Sequence, residues 1–462
     1  CDFGKYHRST YAQNQVDSMI NIFGYGVTTK PLVGFLNSLG ISVRIYDDKF
    51  SGTRGDEFGN LLLDSTLFSN ESVDENIALE SNALDSLTQE SLKTYNLSII
   101  SPGIPPTHPL ATKAHNLIGE YDFFYRLLRH WRTPPRSVWI SGTNGKTTTT
   151  QMTTALLESF GAKSGGNIGT PLSDLYTSNT PLWILETSSF SLHYTTYATP
   201  DVYALLPVRE DHITWHGSFE AYVSDKLSVL PRMSEDTSAI LPFELATHPI
   251  AAGFRGRAYF YKDSKDLAMQ LGIEYERVHI KEPFLLDGII ALGIAKILYG
   301  MCDIATLNAF KIGAHRIEEF VDSHNRLWVD DSKGTNVDAT IEAVRRYQER
   351  QIWLILGGDD KGADLRPLFE FMQGKSITIF AIGSNAQKIA NLSPQYGLEC
   401  EVCGRLEVAV CSIKKARNAF GNPQPKQNLA DVALLSPAAA SLDQFSSYKE
   451  RGDLFKHYAL LD

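Results

Sequence analysis

The sequence lacks long apolar runs, an excess of basic charge and a large supply of cysteine. No stretch approaches the ~20 apolar residues that a membrane-spanning helix needs, and no secretory signal pattern opens the chain. The 462 residues carry a net charge of −10 without a block of Lys or Arg, which argues against nucleic acid or anionic membranes as partners. Five cysteines in so long a chain are typical of a reducing compartment. We therefore expect a soluble cytoplasmic protein.

One cysteine pair, Cys400 and Cys403, has C-x-x-C spacing. A zinc site of the usual kind needs a second pair, which the sequence lacks, so partly buried thiols are favoured over metal or redox chemistry. The chain is long enough for about three domains. Its 43% hydrophobic and 21% charged residues are typical of globular proteins.

The most informative stretch is a glycine loop that joins a strand to a helix. The apolar run 138–140 precedes Ser141-Gly-Thr-Asn-Gly-Lys-Thr-Thr-Thr149, and apolar residues then recur at helical spacing up to Gly161. Converging backbone N–H groups and the helix N-terminus favour a bound phosphate. Lys146 is placed to reach the outer phosphates and Thr147 to bind Mg2+. The alternative is a glycine-rich turn before an ordinary helix, since Ile140 stands where the generic pattern has glycine.

The chain before this loop begins with a βαβ pattern. The strand 20–23 leads into Gly24-Tyr-Gly26 and a helix, and a second strand spans 42–46. Thr29 replaces the third glycine of a dinucleotide-binding motif, so a different nucleotide is favoured over a nicotinamide cofactor. A further strand, 97–100, runs into a Pro-Gly turn of the kind that carries ligand loops.

Three polar residues follow later strands of the central part. Glu186 ends the apolar strand 182–185 and is predicted to hold Mg2+, with helix capping as the alternative. His212 is a second candidate ligand, although a lone histidine is more often structural. Lys226 lies one helical turn after Tyr222, and by itself it would be interpreted as a surface lysine.

The last third alternates strands and helices, with strands predicted at 327–329, 352–356, 377–381 and 432–435. The predicted fold class is α/β with three domains: a Rossmann-like N-terminal domain, a central P-loop ATPase-type mostly parallel sheet and a Rossmann-like C-terminal domain. We expect an extension at 1–18 and domains at 19–119, 120–312 and 313–462. A substrate is expected between domains that all carry polar strand ends.

The motifs together resemble those of the Mur ligase family, over nearly the whole chain from Met19. Besides the glycine loop, the shared motifs are Ser-Pro-Gly-Ile at 101–104, Gly-Gly-Asn-Ile-Gly at 165–169, Glu-Thr-Ser-Ser-Phe at 186–190 and Asp-Ser-Lys-Gly-Thr-Asn at 331–336. The segments 357–364 and 434–445 are similar to those of the branch that adds D-glutamate.

The resemblance implies an ATP-dependent amide ligase of peptidoglycan precursor synthesis. In that family ATP phosphorylates the terminal carboxylate of UDP-N-acetylmuramoyl-L-alanine, and the amine of D-glutamate attacks the acyl phosphate to release phosphate. Lys146 and two Mg2+ ions would neutralise the transferring phosphoryl group. We expect a monomer that uses these two substrates and ATP.

The resemblance also assigns roles to individual residues. Lys146, His212 and Lys226 would be catalytic, with Lys226 carbamylated and therefore anionic. The expected magnesium ligands are Thr147, Glu186, His212 and Lys226. The expected ATP contacts are Gly142, Thr143, Asn144, Gly145, Lys146, Thr147, Thr148, Arg316 and Asp331. The expected contacts of the UDP substrate are Val27, Thr28, Asp48, Lys49, Gly103, Asn167 and Ser188. The expected D-glutamate pocket contains Lys333, Thr335, Lys361, Ser441, Leu442 and Tyr448.

The sequence departs from the family pattern at several positions. Pro283–Asp287 replaces an Asn-rich nucleotide motif, and Asp48-Lys49 replaces a Thr-Arg pair, which loses the bidentate fork of arginine. A ligase of the same family with a different amino acid remains an alternative, although no Asp-Asn-Pro-Arg acceptor signature is present. A nucleotide-dependent switch or motor is the alternative from another class.

Overall fold

The structure, a computed structural model, describes residues 20–68, 88, 92, 97–419 and 431–461. The predicted extension at 1–18 lies outside the described residues. The chain divides into two compact units, the first formed by 1–280 with 284–310 and the second by 281–283 with 311–462.

The first unit contains two sheets, and the N-terminal one has six strands in the order β3-β4-β2-β1-β5-β6. Its neighbouring strands are parallel except for β3 and β4. The strands are β1 Ile20–Phe23, β2 Arg44–Asp47, β3 Thr53–Gly55, β4 Leu61–Asp64, β5 Leu97–Ile100 and β6 Leu117–Gly119. The helices are α1 Thr29–Ser38, α2 Pro109–Lys113 and α3 Glu120–Leu128. β1 and β5 are mainly apolar and buried along their whole length, as expected of neighbouring strands inside the sheet.

A threonine explains the missing third glycine of the turn after β1. The Thr29 hydroxyl donates to the carbonyl of Gly24 at 2.6 Å and accepts from the N–H of Gly26 at 3.1 Å. Thr29 is fully buried, and Gly24 has φ of 81°. The hydroxyl therefore closes the turn where a dinucleotide-binding motif would use close backbone packing.

The central sheet consists of six parallel strands in the order β12-β11-β10-β7-β9-β8. The strands are β7 Arg136–Ser141, β8 Ala162–Gly166, β9 Leu182–Glu186, β10 Val202–Leu205, β11 Ser238–Pro242 and β12 Arg257–Tyr261. The helices are α4 Lys146–Leu156, α5 Leu172–Thr177, α6 Ser189–His193, α7 Ile213–His216, α8 Phe219–Leu227, α9 Pro249–Ala252, α10 Ser264–Leu271, α11 Phe284–Tyr299 and α12 Ile304–Ala309. The apolar α11 packs against α4 and covers the sheet.

Buried polar contacts join the two sheets of the first unit, which also share one apolar core. Asp122 of α3 is fully buried and accepts hydrogen bonds from the backbone N–H groups of Thr196, Tyr197 and Ala198 at 2.7–2.9 Å. The Tyr194 hydroxyl donates to the carbonyl of Ile104 at 2.7 Å. Because these groups are satisfied, the loops after β5 and α6 are held in fixed positions.

The second unit contains a sheet in the order β13-β14-β18-β15-β16-β17, parallel except for β13 and β14. The strands are β13 Glu318–Val321, β14 Leu327–Asp330, β15 Gln351–Leu356, β16 Ile377–Ile382, β17 Glu399–Gly404 and β18 Asp431–Leu435. The helices are α13 Val337–Tyr347, α14 Arg366–Met372, α15 Ala386–Leu392, α16 Leu406–Ala419 and α17 Tyr448–Leu460. Short 3-10 turns over the two units are Ser65–Leu67, Glu158–Phe160, Leu230–Arg232, Phe243–Leu245, Tyr275–Arg277 and Ser393–Tyr396.

The predicted α/β class with three mostly parallel sheets is confirmed. All the strands predicted from buried apolar runs are present, with shifts of one or two residues at their ends. The domain limits stay a prediction. Within the described part of the chain, no helix has the length and apolarity needed to cross a membrane.

Candidate active site

The glycine loop lies at the carboxyl end of β7, between β9 and β10 in the sheet. Gly142 has φ of 141° and Gly145 has φ of 85°, both in the region that favours glycine. A Cβ at either position would lie 2.6 Å from the side chain of Leu206. The loop therefore needs both glycines. Gly145 is the N-cap residue of α4, which begins at Lys146, so the loop leads directly into a helix N-terminus, as a phosphate site requires.

Two lysines converge on one carbonyl of this loop. Lys146 Nζ donates to the carbonyl oxygen of Gly142 at 2.8 Å and to that of Thr143 at 2.7 Å. Lys226 Nζ donates to the same Gly142 oxygen at 2.9 Å. Lys226 is only 1% exposed, and burial together with the charge of Lys146 holds its pKa well below the usual value. The interpretation of Lys226 as a surface lysine is therefore wrong.

Aromatic and hydroxyl groups hold Lys226 in place. Its Nζ lies 4.5 Å from the ring centroid of Tyr222, and the Tyr222 hydroxyl is 3.1 Å from the Thr143 hydroxyl.

His212 is about half exposed, and its ring lies 4.8 Å from that of Phe190. Burial lowers the pKa of His212, and Lys146 and Lys226 lower it further against the raising effect of Asp211. His212 is thus a mainly neutral imidazole that can serve as a metal ligand.

Glu186 ends β9 beside the loop and has one carboxyl oxygen without a partner. Its Oε1 accepts from Asn167 Nδ2 at 3.1 Å, whereas the buried Oε2 has no hydrogen-bond partner among the described residues. The cap of α6 is Ser188, whose hydroxyl accepts from the N–H of Ser191 at 3.0 Å. Helix capping by Glu186 is therefore wrong, and its orphaned oxygen fits a hard cation such as Mg2+.

A network that sequence analysis missed supports the helix of Lys226. Asp225 Oδ1 lies 3.0 Å from His193 Nδ1, and its Oδ2 lies 2.7 Å from Nδ1 of the buried His216. His216 Nε2 lies 3.0 Å from the Ser189 hydroxyl. The two histidines lower the pKa of Asp225 against the effect of its burial. The sequence offers no signal for this network, because its four residues come from three separate helices, α6, α7 and α8.

The residues expected to bind UDP lie on loops of the N-terminal sheet. Val27 is 93% exposed in the turn after β1, and Thr28 precedes α1. Asp48 accepts from the Ser65 hydroxyl and lies 3.4 Å from His108 Nε2. Lys49 follows it in the same turn, where its N–H donates to Asp47 at 2.9 Å. Gly103 lies in the loop after β5, which neighbours β1. These loops all follow adjacent parallel strands.

In the second unit, Asp331 follows β14 and is buried. It accepts from the Ser436 hydroxyl at 2.7 Å and from the N–H of Ile317 at 3.3 Å. Burial raises the pKa of Asp331 to about 7, which the hydrogen bond from Ser436 and the nearby Arg316 only partly oppose. Asp331 and Arg316, the expected ATP contacts of this unit, are thus close in space.

The expected D-glutamate residues lie on loops after three adjacent strands, β14, β18 and β15. Lys333 Nζ lies 4.1 Å from the ring centroid of Tyr448. Lys361 is exposed, with φ of 48°, in the loop after β15. Backbone hydrogen bonds between Asp359 and Ala440 join that loop to the one that carries Ser441 and the exposed Leu442. Thr335 is exposed two residues after Lys333.

Sequence analysis also missed Arg451, a buried cation that joins two of these loops. Its guanidinium donates to the hydroxyl and the carbonyl of Ser332, both at 2.9 Å, and to the carbonyl of Ala439 at 3.2 Å. Burial lowers its pKa to about 10, so it stays protonated at neutral pH. The loops after β14 and β18 are therefore fixed by one side chain.

The cysteine pair on β17 does not resemble a metal site. Cys403 Sγ donates to the Glu401 carboxylate at 3.6 Å, and burial raises the pKa of its thiol to about 12.

Among the described residues, His315, Glu318 and Asp330 have ligand atoms close enough together to hold a metal ion. Lys456 Nζ lies 2.6 Å from Glu318 and 3.6 Å from Asp330, so an ammonium group already neutralises that cluster.

Comparison with known proteins places this geometry in a family. Residues 140–258 match the Mur ligase middle domain. The UDP-N-acetylmuramoylalanine–D-glutamate ligase of Campylobacter jejuni is 47% identical over 95% of this chain and 98% of its own. The chain belongs to the Mur ligase family. The enzyme of the same name from Helicobacter pylori J99 is 45% identical over 96% of this chain and 100% of its own.

Solved structures show the same fold at much lower identity. The MurF ligase of Thermotoga maritima in complex with ADP has a TM-score of 0.50 and 15% identity, over 80% of this chain and 90% of its own. The match of the middle domain covers the glycine loop, Glu186, His212 and Lys226 of this Mur ligase.

The buried Asp331 predicts a distinctive pH dependence of stability in this Mur ligase. Its folded pKa, about 7, lies above the unfolded value of about 3.9, so the unfolded chain releases the proton first. Stability is therefore lost as pH rises from about 4 through about 7. The asparagine side chain of the Asp331→Asn variant does not titrate. We therefore expect the melting temperature of Asp331→Asn minus that of the wild type to increase as pH rises over this interval.

Thermal unfolding of both proteins at pH 5, 6, 7 and 8 tests this expectation. Glu407→Gln, which changes an exposed carboxylate of α16, is the matched control and should track the wild type. A constant difference between Asp331→Asn and the wild type across these pH values would contradict the assignment.

Proposed function

We propose that this chain is an ATP-dependent ligase that joins D-glutamate to UDP-N-acetylmuramoyl-L-alanine in peptidoglycan precursor synthesis. The observation that carries the proposal is near-full-length identity of 45–47% with proteins of that named activity. The two lysines on the Gly142 carbonyl support phosphate chemistry at the loop. The cytoplasmic location and the monomeric state stay predictions.

The proposed reaction has two steps, phosphorylation of a carboxylate and formation of an amide. A carboxylate oxygen of the L-alanine end attacks the γ-phosphorus of ATP, and the bond to the β-bridging oxygen breaks to release ADP. The neutral amine of D-glutamate then attacks the carbonyl carbon, and the carbon–oxygen bond breaks to release phosphate. The nitrogen loses a proton as the amide forms. Lys146, which already reaches two loop carbonyls, would turn to the phosphoryl oxygens and neutralise charge as it develops.

The donor set beside the loop fits Mg2+. Glu186 has an unpartnered carboxylate oxygen, Thr147 is the second residue of α4, and His212 is half exposed. These residues would hold the metal, with Lys226 as a further ligand once it carries a carboxylate. When bound, Mg2+ supplies charge neutralisation to the transferring phosphoryl group. ATP binding is supported by the ADP complex of the Thermotoga relative, and two metal sites are our proposal.

The second unit would select the amino acid. Lys333 and Lys361 would supply two cations for the two carboxylates of D-glutamate, and Ser441 a hydroxyl. Tyr448 holds Lys333 against its ring, which limits the positions of that ammonium group. Thr335 and Leu442 would complete the rim of the pocket.

Phosphate release tests the proposed function directly. With ATP and UDP-N-acetylmuramoyl-L-alanine present, release should require D-glutamate and should yield the amide in equal amount. Release that needs L-lysine or meso-diaminopimelate instead would favour another ligase of the family. Release that is indifferent to any amino acid would favour a nucleotide-dependent switch.

Lys361→Ala should raise the KM for D-glutamate by about tenfold or more while the KM for ATP stays nearly unchanged. The reason is that an unpaired carboxylate costs on the order of 1–3 kcal/mol of binding. Steady-state kinetics with each substrate varied measures both values. Lys415→Ala, at an exposed position of α16, is the control. Equal changes in the two KM values would count against this pocket.

We also propose that Lys226 is carbamylated. Carbon dioxide reacts with the neutral amine, and burial beside a second lysine disfavours the ammonium form of Lys226. The resulting carboxylate would replace a repelling cation by a hard oxygen ligand beside Glu186 and His212.

Lys226→Ala should lose most of the activity, and acetate in the buffer should partly restore it, because a small carboxylate fits the vacated space. Lys226→Arg should not be restored, because its guanidinium fills that space. Carbon-13 NMR of protein treated with labelled bicarbonate gives an independent readout. The carbamate signal should appear in the wild type and in the exposed control Lys163→Ala, and its presence in Lys226→Ala would refute the assignment.

A further inference from the structure

The first unit contains a small cleft lined by a buried carboxyl group. Its walls include Thr28 from the turn after β1, Pro102 from the loop after β5, and Ser191 and Tyr194 from the α6 region. Glu120, the first residue of α3, also lines it and is only 7% exposed. Among the described residues, no hydrogen-bond donor and no cation reaches the Glu120 carboxyl group.

Three other hydroxyl groups around this cleft already have partners. The Tyr194 hydroxyl donates to the carbonyl of Ile104, and the Tyr121 hydroxyl lies 3.2 Å from that of Thr187. The Ser191 hydroxyl lies 2.9 Å from that of Ser188. These contacts leave the Glu120 carboxyl group and the Thr28 hydroxyl as the side-chain groups at the cleft that can face a ligand.

Asp122, two residues further along α3, shows what a structural carboxylate looks like in this fold. It is fully buried and accepts four hydrogen bonds, from the residues 196–198. The Glu120 carboxyl group has no such contacts with the described residues, although it is only 7% exposed and lines the cleft. It is therefore available to hydrogen-bond a ligand that enters the cleft.

We propose that Glu120 is a specificity-determining residue that hydrogen-bonds the sugar–diphosphate part of the nucleotide substrate, an inference that rests on the proposed function. The cleft is lined by Thr28 and by Pro102, the neighbour of Gly103, and both Thr28 and Gly103 are expected at the UDP end. It is also lined by Ser191, whose hydroxyl contacts that of Ser188, the residue expected at the muramoyl-alanine end. The sugar and the diphosphate are what connects those two ends of the substrate.

The chemistry of the carboxyl group fits that position. Burial raises the pKa of Glu120 to about 8, so the group is mainly protonated at neutral pH. A neutral acid offers one O–H donor and one carbonyl acceptor, which suits a phosphate oxygen or a sugar hydroxyl and does not repel the diphosphate. The adjacent Tyr121 and Tyr194 also have pKa values raised by burial, so they bring no negative charge to the cleft.

Two substitutions of Glu120 separate binding from folding. Glu120→Met keeps the length of the side chain but removes both hydrogen-bonding groups, whereas Glu120→Gln keeps a donor and an acceptor. We expect Glu120→Met to raise the KM for UDP-N-acetylmuramoyl-L-alanine by about tenfold, with the KM values for ATP and D-glutamate within about twofold of the wild type. Glu120→Gln should stay close to the wild type, as should the exposed control Glu158→Met.

The melting temperature without ligand distinguishes a ligand contact from a structural group. Because Glu120 has no partner, Glu120→Met should melt at the wild-type temperature or above it. A fall of several degrees, or equal increases in all three KM values, would overturn the proposal. An unchanged KM for the nucleotide substrate would overturn it as well.

Calorimetric titration identifies the part of the substrate that is bound. Weaker binding of UDP itself by Glu120→Met assigns the contact to the diphosphate, and weaker binding of UDP-N-acetylmuramoyl-L-alanine alone assigns it to the sugar. Equal affinity of both ligands for Glu120→Met and the wild type would refute either contact. If the wild type fails to ligate D-glutamate, the proposed function falls, and the titrations still decide the role of Glu120.

Discussion

The backbone carbonyl of Gly142 is the acceptor around which the first unit's chemistry is arranged. It accepts hydrogen bonds from Nζ of both Lys146 and Lys226, at 2.8 and 2.9 Å. Two cations on one acceptor repel each other, and the lowered pKa of Lys226 reflects that repulsion as well as burial. A phosphate in the loop would give Lys146 a charged partner, and carbamylation would remove the positive charge of Lys226. The loop therefore favours phosphate through Lys146 and the N-terminus of α4, and its glycines let the backbone approach closely.

Parallel sheets explain why functional groups from distant parts of the chain lie close together within each unit. In the central sheet, the loop after β7 is flanked by the ends of β9 and β10, which bring Glu186 and the segment before His212 beside it. In the other unit, β14, β18 and β15 are neighbours, so Asp331, Lys361 and Ser441 follow adjacent strands. The carboxyl ends of parallel strands lie at one edge, where loops are exposed and helices begin. Side chains such as Arg451 then fix the loops.

Sequence patterns predicted the buried strands and the glycine loop well, because both depend on local composition. The strand before Ser101 and the one before Glu186 stand out as apolar runs that end in polar motifs. Burial of Lys226 was not predictable in this way, since its helix has a mixed surface and the residues that enclose it come from other elements. The hydrogen-bond network around Asp225 was not predictable for the same reason, because its members come from different helices. Exposed edge strands such as β3, Thr53–Gly55, carry too few apolar residues to be recognised.

Buried charged groups in this chain fall into two physical classes, and the difference bears on function. Asp122 and Arg451 have their hydrogen-bonding capacity filled by backbone groups, so the folded chain alone accounts for them. Glu186 keeps an unpartnered oxygen, Asp331 has a raised pKa, and Lys226 has a lowered one, so each is held in a state that costs free energy. A bound cation would offset the cost at Glu186, and carbamylation would remove the cost of holding Lys226 as a buried ammonium. Perturbed buried groups beside strand ends are therefore a better guide to the sites than exposure is.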